Sequence, residues 1–302
     1  MNAIARLFLA SDRRLRPSWR FWISAVVFVF STGFAGALAV AVRKAGFGVA
    51  TEFVFRTAWL VFMLLGFALL LYTLDRVRGH VLGSMGLALD RAALRDSLAG
   101  TALGAGMVVA SVTVVALAGR VEFHWIGGGP RVLLAILAIT YVTAVAAMAE
   151  EVAFRGYPFQ RLVEGIGAVG GIVVLSVLFG AIHLGNPHAS VWGFLNTIEI
   201  GALLAVAYLR TRSLWMPWGL HFGWNLTLGM VLGLPVSGIN DFTVAVQGTA
   251  EGPLWLTGGS YGIEASLTGT LVIAASFLVL LRMTPVRAVP PEPVPELAKA
   301  PE

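Results

Sequence analysis

The stretch A-M-A-E-E-V-A-F-R-G, residues 147–156, places two adjacent carboxylates, Glu150 and Glu151, and a guanidinium, Arg155, at the end of a long apolar run. Glu151 and Arg155 are four apart with the acid first, the favourable order for a pair on one helix. In lipid such a pair neutralises a charge and holds the helix rotation, which leaves Glu150 free to act. Two further polar clusters lie in apolar surroundings. His183 ends F-G-A-I-H, and His221 stands four before Asn225 in H-F-G-W-N. Carboxylate, imidazole and amide at membrane depth are expensive and mark function by default. Plainer readings stand beside this one. The acids fit a helix-end charge pair, His183 alone fits a helix-end histidine, and His221 with Asn225 fits a hydrogen-bonding pair that joins two spans.

The composition around these clusters is that of a membrane protein. Of 302 residues 58% are hydrophobic and only 12% charged, with mean hydropathy +0.83, against roughly 25% charged in soluble domains. The chain has no cysteine, which excludes disulfides, thiolate metal ligands and a cysteine nucleophile. The net charge is +5, but the basic residues are dispersed among short loops, so nucleic-acid binding is not indicated. The expected fold class is all-α, a polytopic membrane protein of about eight transmembrane helices. The apolar stretches are 21–42, 53–73, 98–117, 132–151 (continuing past Arg155), 168–184, 192–209, 214–232 and 263–281, each near the ~20 residues a span needs. The first is too long for a cleaved signal peptide.

Three parts follow: a basic cytoplasmic N-terminus, 1–20; a transmembrane helical domain, 21–284, with its core at 132–232; and a disordered cytoplasmic tail, 285–302, containing P-P-E-P-V-P-E. There is no internal repeat. With eight spans the termini share a face, which holds 16 Lys and Arg against 5 on the other. By the positive-inside rule both termini are cytoplasmic, in a multi-pass protein of the inner (cytoplasmic) membrane. Segment 76–96 reads as an amphipathic surface helix. The 235–262 loop, free of Lys and Arg, reads as outer, with Trp255 as an interfacial anchor.

A hairpin turning at Gly165-Ile166-Gly167 brings Glu150 and His183 to one height. His221 and Asn225 share a helical face. Four polar groups from three helices then meet in a pocket expected to open toward the cytoplasm, with small residues such as Gly219 and Gly223 leaving room for water or a peptide. Hydrolysis needs a deprotonated water and a stabilised oxyanion. A pocket carboxylate and a neutral imidazole can hold the water, while a second imidazole and an amide donate to the oxyanion. The alternative is a divalent metal, zinc first, on Glu150, His183 and His221. Asn196 and Glu199 form another polar pair, read as packing or hydrogen-bonding residues, with lining of the substrate pocket as the alternative.

The motifs E-E-x-x-x-R, F-x-x-x-H and H-x-x-x-N, in that order on separate spans, resemble the CPBP intramembrane protease family, which contains the type II CAAX prenyl endopeptidases and abortive-infection-like proteins. The resemblance covers about 132–232, and L-T-G-G-S-Y-G-I-E, 256–264, is also similar to bacterial members. It implies an eight-helix fold with a site reached from the cytosol, and a membrane-associated peptide or protein as substrate. Glu150 would be general base, His183 would share the water, and His221 with Asn225 would stabilise the oxyanion. Glu151 and Arg155 would support them. The family is often labelled metalloprotease, although a metal-free glutamate mechanism also fits it. The rivals are a non-enzymatic scaffold or immunity or secretion accessory protein keeping the same fold, and, more distantly, a transporter.

Overall fold

Long apolar runs form helices because only a helix satisfies its own backbone in lipid. A computed structural model describes residues 3–12 and 14–284; the tail expected at 285–302 lies outside them. A short helix α1 (Ala3–Phe8) precedes α2 (Pro17–Lys44) and α3 (Thr51–Thr73). Next come the one-turn α4 (Val81–Ser84), α5 (Arg91–Leu117), α6 (Pro130–Arg155), α7 (Tyr157–His183) and α8 (Val191–Thr211). The chain ends with α9 (Trp215–Asn225), a single turn α10 (Leu254–Thr257) and α11 (Leu267–Met283). Five stretches are long and apolar enough to cross a membrane: α2, α3, α5, the 54 residues from the start of α6 to the end of α7, and α8. The chain is a multi-pass helical membrane protein. Helix α11 has 17 residues and α9 has 11, running on into a π-helical segment, Leu226–Val231.

Several sequence expectations need correcting. The fold is not purely helical, because β1 (Val121–Trp125) pairs antiparallel with β2 (Val246–Ala250). Segment 76–96 is not one amphipathic helix. It holds only α4 and a turn, and α5 then starts at Arg91, capped by Asp90, whose carboxylate accepts from Ala93 N at 2.8 Å. The last helix begins at Leu267, so Glu264 sits in a 3-10 turn, Ile263–Ala265, before it. The predicted hairpin has two breaks. Helix α6 stops at Gly156, and α7 breaks at Gly167, whose φ of +77° only glycine adopts readily.

The helices alternate in direction, so the connections fall on two faces. Residues near the N-terminus, the loop 74–90, the turn at Gly167 and the 212–214 link share one face with the end of α11. Arg20 of α2 pairs there with Asp75 and Glu164, and Arg161 also reaches Asp75. Arg210 donates to Thr284 O. The opposite face carries 45–50, 118–129, 184–190 and 232–266, joined by the β1–β2 ribbon.

Helices α5 and α9 run parallel at backbone contact. A Cβ on Gly104 would lie 2.1 Å from Leu220 O, and one on Gly223 would lie 2.3 Å from Thr101 O. Gly100-x-x-x-Gly104 and Gly219-x-x-x-Gly223 are thus two facing small-residue ridges, the arrangement that lets helices approach closely in lipid. The space expected beside Gly219 and Gly223 is therefore filled by α5.

Candidate active site

Helix α6 delivers Glu150, Glu151 and Arg155 to the interior because its final turns are buried among α2, α3 and α7–α9. Glu151 is sealed from solvent. Its Oε1 accepts from Arg155 Nη1 at 3.2 Å and from His221 Nδ1 at 2.8 Å. Arg155 is equally buried. It donates through Nη2 to Gly201 O at 3.0 Å and lies over the Phe179 ring, 4.4 Å from its centroid. A buried charge pair is tolerable only when its remaining donors are satisfied, and Gly201 and the Phe179 face do this for the guanidinium. The expected Glu151–Arg155 pair is present. Its third member, His221, is seventy residues away in sequence and was not foreseen.

Because a carboxylate only accepts, the hydrogen bond to Glu151 places a proton on His221 Nδ1. That turns Nε2 toward Glu150, whose Oε2 lies 3.8 Å away. Among the described residues Glu150 Oε2 is buried without a hydrogen-bond partner. Glu151 Oε2 also lacks one, but the two acids differ in access: the Glu150 side chain is 17% exposed and the Glu151 side chain 0%. His183 ends α7 and donates from Nδ1 to Phe179 O at 2.7 Å, which leaves its Nε2 as an acceptor. Phe179 packs against both imidazoles, with ring centroids 4.6 Å from His183 and 6.2 Å from His221.

Glu150, His183, His221 and Asn225 all line one cavity of about 340 Å³. The contacts among them are uneven. Glu150, Glu151, Arg155 and His221 form one connected cluster, while His183 and Asn225 face the same space without bonding to it. Asn186, Ser237, Ile239 and Phe242, from connections of the face opposite the termini, also line the cavity, with Phe55 and Arg56 near the start of α3.

One residue of the cavity was missed. Glu264 accepts from Trp224 Nε1 at 2.8 Å, from Ser237 Oγ at 2.9 Å and from Ser237 N. It thereby ties the loop over the cavity to the residue before Asn225. A lone acid after three glycines at the head of an apolar run was the available signal. Asn196 holds the same loop. It donates to Glu264 O and Ser266 O, both at 2.8 Å, and accepts from Thr270 Oγ1 at 2.7 Å, and it also lines the cavity. Glu199 does not line the cavity.

The donor chemistry of Glu150, His183 and His221 suits zinc, since each imidazole has Nδ1 engaged and Nε2 free. Their spacing does not. Among the described residues no three carboxylates or imidazoles stand close enough together to hold one ion.

Residues 132–227 match the family described as Rce1-like, type II CAAX prenyl endopeptidase. No curated protein and no solved structure matches the chain.

Proposed function

Because the chain belongs, over residues 132–227, to the Rce1-like type II CAAX prenyl endopeptidases, a family of proteases, we propose that it is an intramembrane endopeptidase cleaving a peptide bond of a membrane-associated substrate. One observation carries the reading: two adjacent acids are used differently. Glu151 is sealed and holds Arg155 and His221, whereas Glu150 is partly accessible, makes no hydrogen bond through Oε2 and lines a cavity that His183, His221 and Asn225 also line.

In this reading a water sits between Glu150 Oε2 and His183 Nε2. His183 accepts one hydrogen bond and orients the water; Glu150 takes the other proton as oxygen attacks the carbonyl carbon. His221 Nε2, in the imidazolium form, and the Asn225 amide donate to the oxyanion. When the C–N bond breaks, the proton held by Glu150 passes to the leaving amine. Glu151 fixes the His221 ring so that Nε2 points at the reaction, and Arg155 balances the charge of Glu151. No step passes through a metal, because the spacing of the donors does not support one.

The topology that goes with this reading has eight crossings, with α9 plus its π segment and α11 completing the five long stretches. The termini are cytoplasmic, in the inner membrane. The test uses Glu150→Gln and His183→Ala in purified, reconstituted protein. The substrate is sought by comparing membrane peptides from cells with wild-type and Glu150→Gln protein. Each variant should lose cleavage by about 10²–10⁴-fold with its thermal unfolding unchanged. Full biological activity in both would identify a scaffold that keeps the fold of a protease.

A further inference from the structure

The β1–β2 ribbon has one edge without a neighbour. In an antiparallel pair every second residue turns its N–H and C=O to the facing strand, and the residues between turn theirs away. Ile126 N donates to Ala245 O and Glu251 N donates to Arg120 O. In the register that runs from Val121 opposite Ala250 to Trp125 opposite Val246, Glu122 and His124 therefore bond β2 through their backbone, while Val121, Phe123 and Trp125 direct theirs outward. The outer edge of β2 is covered, since Gly248 N donates to Gly233 O. Among the described residues no backbone group bonds the outer edge of β1. An open edge of this kind is a template for another strand. The two faces of the ribbon also differ. Val121 packs against the core cluster that contains Leu234, and a Cβ on Gly248 would meet Leu232 O and Leu234. Phe123 and Trp125 share that face but overhang the core, Trp125 being 74% exposed. Glu122 and His124 stand exposed on the other face. In a membrane protein these are the faces of a ribbon lying flat at the lipid surface, with its aromatic rings in the interface and its charges in water.

We infer that β1 pairs with β1 of a second copy of this chain, giving a homodimer with one sheet of order β2-β1-β1-β2. Two copies in one membrane are related by an axis along the membrane normal, and the two-fold axis of an antiparallel strand pair is perpendicular to its sheet, so a flat ribbon meets the requirement. Charge selects the register. Pairing centred on Phe123 sets Val121 opposite Trp125 of the second copy and forms about six backbone hydrogen bonds. It also sets Glu122 opposite His124 of the second copy, twice, at the positions where facing Cα atoms are closest, ~4.5 Å apart. The neighbouring hydrogen-bonded registers set Glu122 against Glu122 or His124 against His124, and like charges directly opposite are destabilising. Leu117 at the end of α5 and Leu133 and Leu134 near the start of α6 are exposed and continue the apolar surface beside the ribbon. This inference does not depend on the hydrolytic reading.

The cysteine-free chain allows a direct test in proteoliposomes. Phe123→Cys should cross-link to a second copy through a short bifunctional maleimide, and should continue to do so as the ratio of lipid to protein is raised. Ser84→Cys, exposed on the opposite face of the bundle, should not. His124→Glu sets acid against acid at both pairs, and Glu122→Lys with His124→Lys sets base against base. Each should weaken association about tenfold, the size expected of two like-charge cross-strand pairs, as read by energy transfer between donor- and acceptor-labelled copies. Mixed together, the two variants should associate at wild-type strength or better, an outcome that no contact within one chain can produce. Both should unfold at the wild-type temperature, since the altered side chains are exposed. Wild-type protein that stays monomeric would overturn the inference. So would variants whose association is unchanged alone or not restored by mixing, or a Phe123→Cys that in cells cross-links to a different protein in place of a second copy.

Discussion

A methyl group on Gly223 tests whether α9 is held in place by its back. Gly219 and Gly223 face α5, and at 100° per residue His221 and Asn225 project from the other side of the same helix. The new Cβ of Gly223→Ala would sit 2.3 Å from Thr101 O and 2.8 Å from Thr101 Cα, where ordinary contact starts at 3.4 Å. Both obstacles are backbone, so no side chain can swing away, and α9 must move by about 1 Å. A shift of that size, away from α5, drives His221 into Glu151, with which Nδ1 already makes a 2.8 Å hydrogen bond, so the imidazole must leave its position and that bond loses its geometry. Overpacking costs about 1–3 kcal/mol, and ~1 Å of misplacement can cost 10²-fold in rate. The expected outcome is a protein that still folds, unfolds at a lower temperature and cleaves its substrate about 10²-fold more slowly in proteoliposomes. Gly106→Ala, whose Cβ meets nothing within 4 Å, serves as the control and should cleave at the wild-type rate. A Gly223→Ala protein with wild-type rate and wild-type unfolding would refute the idea that backbone contact with α5 sets the position of His221.

Breaking the sealed pair one member at a time leaves a buried charge, so Glu151→Gln and Arg155→Met should each lose about 3–5 kcal/mol in thermal or denaturant unfolding. The double variant should recover part of that stability and no activity, since His221 remains unheld. Glu264→Gln replaces one accepting oxygen with a donor that opposes the Ser237 N–H; faster limited proteolysis within 233–262 and roughly tenfold slower cleavage are expected. Elemental analysis of active protein should find no stoichiometric zinc, and chelators should leave the rate unchanged; activity lost to a chelator and restored by zinc would contradict the metal-free mechanism.

The helices were legible because each is a nearly unbroken apolar run, and the acids of α6 stood out because nothing around them is polar. Position along a hairpin was legible too: Glu150 and His183 do line one cavity, although the extra break at Gly156 could not be seen. What stayed hidden depends on partners distant in sequence. The hydrogen bond from His221 to Glu151 spans seventy residues, and nothing in H-F-G-W-N says which acid it meets. Gly219 and Gly223 announced a close approach but not from which side, and so were misread as free space. The five-residue strands β1 and β2 lie inside irregular connections, each too short to carry a pattern of its own. The pocket walls supplied by 184–190 and 232–266 were not legible, because they come from loops whose packing, through Glu264 and Asn196, leaves little trace in composition.

The environment of Arg155 also bears on how the protein is made. Its guanidinium is satisfied by a carboxylate on its own helix, a carbonyl of α8 and the ring of Phe179 on α7. A lone α6 has only the first of these, so the donors at its C-terminal end are fully satisfied only once α7 and α8 have packed against it, which ties the three helices together during assembly.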